Sequence, residues 1–101
     1  MNVTITTDAK QQLINVLGEE PTIKINEIRT TGWGATYVYE LAQVEQINNE
    51  EIFKVGAITI LIDPLVISHL EEDIVLDHKG NYGFILKNSY EILTFGMKLM
   101  K

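Results

Sequence analysis

Apolar and polar positions alternate along most of the chain, and the alternation breaks at glycine, asparagine and Asp-Pro. This pattern predicts many short strands and two short helices. Val3 to Thr6 alternates with β-branched side chains and reads as an opening strand. Thr7 or Asp8 can cap the helix that follows, in which Ala9, Leu13, Val16 and Leu17 fall at i, i+4, i+7 and i+8 on one apolar face. Gly18 supplies a left-handed stop, with Pro21 just beyond. A one-faced helix of this kind covers a sheet, and burial of Leu13 contributes about 1.5–3 kcal/mol.

Ile23, Ile25 and Ile28 share one face of the next extended segment, with Thr22, Lys24 and Asn26 on the other. The phase slips by one residue at Glu27, and a bulge there accounts for the slip. After the Gly32-Trp33-Gly34 break, Thr36 to Leu41 has the aromatic and β-branched content of a further strand. Asn48 to Glu51 reads as a surface loop. Ile52–Val55 and Ala57–Ile62 then form a strand pair around Gly56. Asp63 as N-cap and Pro64 at the first helical position open a second helix through about Leu70, with Leu65, Val66 and Leu70 available for burial. The acidic run Glu71-Glu72-Asp73 ends it. Ile74–Leu76 and Tyr82–Leu86 flank a hairpin segment, and Ile92 to Leu99 makes a last strand. No repeat or linker divides these pieces, so residues 1–101 read as one domain of class α+β, mainly β.

Composition narrows the function. Hydrophobic residues make up 46% of the 101 positions and charged residues 22%, an ordinary globular balance. The formal net charge of −6 repels phosphate backbones and anionic lipid surfaces, so neither nucleic acid nor a membrane is expected as partner. The first residues lack the basic region and long apolar run of a signal peptide, and a cytoplasmic location is expected. There is no cysteine at all, which excludes a disulfide framework.

The order of elements resembles the HesB/IscA family of A-type iron-sulfur carrier proteins. The resemblance rests on the opening strand and helix, on Arg29-Thr30-Thr31-Gly32 before the aromatic strand at Tyr37, and on Ile60-Leu61-Ile62-Asp63 leading through Leu70 to Leu76-Asp77. It closes on Gly83-Phe84-Ile85-Leu86-Lys87-Asn88-Ser89, similar to the family's Gly-Phe-x-x-x-Asn-Pro with serine for proline. It implies a compact domain of short strands in two packed sheets with an N-terminal helix. It also implies iron or a cluster held by three cysteines, one after the glycine at 32 and two in a Cys-Gly-Cys near the C-terminus. Those positions here hold Trp33, Leu93 and Phe95, with Thr94 for the intervening glycine and Gly96 following. The segment after Trp33 is one residue shorter than the family pattern. Clusters are held mainly by thiolates, and none of the three replacements carries a metal-ligating atom. No cofactor is therefore expected, and no catalytic residue.

Trp33 between two glycines reads either as an exposed anchor for a partner or as a plug packed with Leu93 and Phe95 in the space a cluster would fill. His69 with Asp73, or His78 with Asp77 and Asp63, could contribute to an iron site of hard ligands, although nothing in their spacing forces convergence. Ser68, His69 and Asp77 are triad residue types without a nucleophile elbow. Gly32-x-Gly34 is too short for a dinucleotide fingerprint. The acidic groups at Glu40, Glu45, Glu50 and Glu51, and at Glu71 to Asp73, read as solvated faces, with docking of a basic partner by one of them as the alternative. The expectation is a non-enzymatic iron-sulfur assembly protein that meets other assembly proteins without holding a cluster through cysteine. The alternative is a protein- or small-molecule-binding module centred on Trp33.

Overall fold

The computed structural model describes residues 1–30 and 36–101, and Trp33 lies outside them. The described elements, in chain order, are β1 (Val3–Ile5), α1 (Thr7–Leu17), β2 (Thr22–Thr30), β3 (Thr36–Gln43), β4 (Glu51–Val55) and β5 (Ile58–Ile62). They continue with α2 (Pro64–Leu70), β6 (Ile74–Lys79), β7 (Gly83–Lys87), β8 (Ile92–Met97) and β9 (Leu99–Met100). One sheet has the order β1-β6-β7-β8 and the other β4-β5-β2-β3-β9. The two sheets pack on each other, as the α+β, mainly β reading anticipates.

The helices form for the expected reasons, with changes in detail. Thr6, one residue before the expected caps, is the N-cap of α1, and its side chain accepts the Ala9 N–H. Gly18 stops the helix at φ 105°, and Ala9 and Leu13 are its buried residues. In α2 the buried pair is Val66 and Leu70, four apart on one face, whereas Leu65 is 66% exposed and covers nothing. Asp63 has the extended backbone of an N-cap but makes no side-chain cap bond, and Glu71 ends the helix at φ 59°.

The expected bulge at Glu27 is absent. β2 and β3 pair antiparallel without interruption from Ile23↔Gln43 to Thr30↔Thr36. Strict alternation therefore holds: Ile23 and Ile25 are fully buried, Glu27 follows them on the inner face, and Ile28 is 41% exposed. The slip arises from counting Ile28 as an inner residue.

The bulges lie instead in β8. Phe84 faces Met97, Leu86 faces Thr94 and Lys87 faces Ile92, so the register steps by one on each side of Leu86↔Thr94. The first step sets the two residues Phe95 and Gly96 against one on β7, and the second leaves Leu93 as the extra residue. Gly96 takes φ 54°, a conformation suited to glycine, and a Cβ there would come 3.5 Å from the Tyr82 carbonyl.

The last strand of the sequence reading is two strands in two sheets. β8 pairs with β7, whereas β9 crosses to pair with β3 in parallel. Thr94 bridges the sheets as well, its Oγ1 accepting the Tyr39 N–H at 3.1 Å, and the Lys98 carbonyl accepts the Leu41 N–H. The core between the layers includes Ile5, Leu13, Ile25, Leu41, Ile60 and Leu76.

Candidate functional site

Inner-face alternation brings a carboxylate to the end of an otherwise apolar row. Glu27 follows Ile23 and Ile25, and its side chain is only 7% exposed. A carboxylate so placed needs hydrogen-bond donors. Two are present: the Tyr39 hydroxyl donates to Oε2 at 3.0 Å, and His69 Nδ1 lies 2.6 Å from Oε1. Tyr39 sits opposite Glu27 in the β2–β3 ladder, and His69 comes from the last turn of α2. Burial, followed by the Glu27 hydrogen bond and charge, raises the Tyr39 pKa well above the ordinary tyrosine value. Tyr37 stacks on His69 with ring centroids 4.9 Å apart and planes 21° off parallel.

Tyr37, Tyr39 and His69 wall a recess of about 380 Å³, whose lining also includes Thr36, Glu91 and Leu93. The volume is in the range of small-ligand sites. Leu93, one of the three positions where the resembling family has cysteine, lines this recess and packs against the core. Phe95, another of them, is 55% exposed, lies 5.7 Å from the Tyr82 ring and lines a second groove with Ile28 and Val38. Leu93 and Phe95 stand two apart in the bulged strand β8 and line different recesses. Trp33, the third member of the expected plug, belongs to the segment outside the described residues.

The hard-ligand sites drawn from sequence do not assemble. Asp73 accepts from the Asn2 backbone N–H at 2.7 Å, and Asp63 is 3.3 Å from Lys24 Nζ. Asp77 accepts from Thr6 and Lys87, and the ring of His78 meets Phe84 edge-on at 4.8 Å. Among the described residues no group of three His, Asp or Glu side chains is placed to hold a metal ion. Ser68 donates to the Leu65 carbonyl within its own helix, away from any triad role.

Asp77, read from sequence as a possible iron ligand, and Glu50, read as part of a solvated face, are both structural. Asp77 is 4% exposed and its pKa falls to about 2, chiefly through the Thr6 hydrogen bond, with help from the His78 N–H and Lys87 against the cost of burial. Glu50 is no solvated face, because its side chain is 3% exposed and lies 3.3 Å from Lys24 Nζ. Backbone N–H bonds from Glu50 itself and Asn48 lead in lowering its pKa, and the Lys24 interaction adds to them. Burial opposes the charge on Lys24, but the bonds to Asp63 and Glu50 outweigh it and raise that pKa.

Sequence reasoning missed Glu27 and Tyr39 as site residues. The available signal was the carboxylate on the inward phase of a strand, set opposite a tyrosine.

Neither a protein-family model nor a curated protein sequence matches the chain. Among solved structures, a putative Fe-S biosynthesis protein from Lactobacillus acidophilus superposes with a TM-score of 0.74 at 12% identity, over 100% of this chain and 90% of that one. Escherichia coli SufA, involved in biosynthesis of iron-sulfur clusters, superposes with a TM-score of 0.66 at 15% identity, over 89% of this chain and 82% of its own. At such identities the likeness establishes the fold. The chain thus has the fold of these two structures, the HesB/IscA type that its sequence resembles, and it has it without a single cysteine.

Proposed function

We propose that this protein acts in iron-sulfur cluster assembly through contacts with other assembly proteins, without ligating a cluster through cysteine. The observation that carries the reading is the conjunction of an iron-sulfur biosynthesis fold with leucine and phenylalanine at two of the resembling family's ligand positions. A [2Fe–2S] or [4Fe–4S] cluster on this chain would need ligands other than thiolate. Among the described residues the two imidazoles, His69 and His78, lie on different elements, and each is engaged with a neighbour inside the fold. The role left to such a chain is that of a partner, one that shares the carriers' shape and meets the proteins they meet.

Anaerobic reconstitution with iron and sulfide, followed by visible absorption and metal analysis, tests the first half of the proposal. The expected product is colourless protein with iron and sulfide far below one per chain. A stable brown species with iron and sulfide in whole-number ratio to protein would overturn it. Affinity capture against purified cluster-assembly proteins tests the second half, and saturable binding to at least one of them is expected.

A further inference from the structure

The imidazole of His69 is fixed from two sides before any ligand arrives. Nδ1 lies 2.6 Å from Glu27 Oε1, and the ring stacks on Tyr37 at 4.9 Å. A carboxylate in that position acts as acceptor, so Nδ1 carries the hydrogen. In the neutral ring Nε2 is then a lone-pair acceptor. Nε2 has no hydrogen-bond partner among the described residues, and His69 lines the recess.

The remaining lining has the same polarity. Glu91 lies in the lining and carries a carboxylate, Tyr37 and Tyr39 line it with aromatic side chains, and no lysine or arginine lines the recess among the described residues. Acceptors and aromatic side chains without a competing cation favour a positively charged donor. The formal net charge of −6 draws such a ligand toward the surface.

We propose that this recess binds the cationic head of an organic ligand, an ammonium or guanidinium group, held by His69 Nε2 and the Glu91 carboxylate against the wall formed by Tyr37 and Tyr39. Glu27 is a positioning residue: it sets the tautomer of His69 and need not touch the ligand. Whether the cation is a free amine or a lysine or arginine side chain of another protein, the chemistry at the recess is the same. The proposal stands apart from cluster assembly and holds or fails without it.

The test is a titration of ¹⁵N-labelled protein with agmatine, and separately with a short arginine-containing peptide, reading the His69 ring nitrogens and the Tyr37 resonances. Saturable shifts of both residues are expected. Binding to agmatine alone assigns the recess to a free amine, and tighter binding of the peptide assigns it to a partner's side chain. Glu91→Gln should weaken agmatine by about tenfold, as loss of a charge-assisted hydrogen bond would, and Tyr37→Leu by about three- to tenfold. The proposal is overturned by the absence of saturable shifts, by inorganic phosphate shifting these resonances in place of agmatine, or by zinc binding at one per chain while agmatine has no effect. It is equally overturned if Glu91→Gln and Tyr37→Leu, both folded by their amide spectra, leave agmatine affinity unchanged.

Discussion

The Thr6 hydroxyl donates to the Asp77 carboxylate at 2.7 Å across 71 positions of sequence, while its oxygen accepts the Ala9 N–H at 3.2 Å. One side chain thus caps α1 and ties it to β6, where Asp77 also accepts the His78 N–H and a bond from Lys87. The junction joins the parallel β1–β6 pair to the helix that covers it.

Acid should test that junction directly. The Asp77 pKa is depressed from 3.8 to about 2 in the folded state, so the unfolded chain binds the proton first as pH falls. Its contribution is fully present above about pH 4 and is lost as pH falls toward 2. Asp77→Asn should destabilise the protein at neutral pH by about 1–3 kcal/mol and flatten the stability profile between those limits. Urea melts of both proteins from pH 2 to pH 7 check this, and parallel profiles would remove Asp77 as the source.

Alkali should reveal Tyr39. Its folded pKa is raised above the ordinary 10, so the unfolded chain releases the proton first, and stability is lost as pH rises above about 10. Absorbance at 295 nm should show a late tyrosine ionisation, and Tyr39→Phe should abolish that late step. Glu27→Ala should advance it, and should cost about 1–3 kcal/mol by leaving the Tyr39 hydroxyl and His69 Nδ1 without their common acceptor.

Thr94 stands where the resembling family has glycine between two cysteines, and here it holds the sheets together through the Tyr39 N–H. Thr94→Val keeps the shape and removes the acceptor. It should cost about 1 kcal/mol and speed hydrogen exchange of the Tyr39 amide selectively, while the Leu41 amide, bound to the Lys98 carbonyl, stays protected.

Two leucines that look alike in sequence should behave differently. Leu13 is fully buried on the inner face of α1, so Leu13→Ala should cost about 2–5 kcal/mol. Leu65 is 66% exposed, and Leu65→Ala should stay within about 0.5 kcal/mol. Thermal melts of the two variants separate the cases.

Local chemistry was enough to locate α1, Gly18 as its stop, Pro64 at the head of α2, and most strands to within a few residues, because caps, turn residues and side-chain period act over a few positions. Element order also carried the resemblance in fold. The recess was not legible in the same way, since Glu27, Tyr39 and His69 meet only after β2 and β3 pair and α2 packs beside them.

Sequence by itself determined the absence of thiolate chemistry, because no fold can supply an atom that the chain lacks. It determined the inward row of β2 as well, although the carboxylate in that row looked like a slip in phase. Tertiary structure alone decided that the row ends at a buried glutamate answered by Tyr39 and His69. It also decided that Leu93 and Phe95, in the bulged strand β8, line different recesses. The physical reason is common to both: alternation states which residues share a face, but pairing register and the strand opposite decide what that face meets.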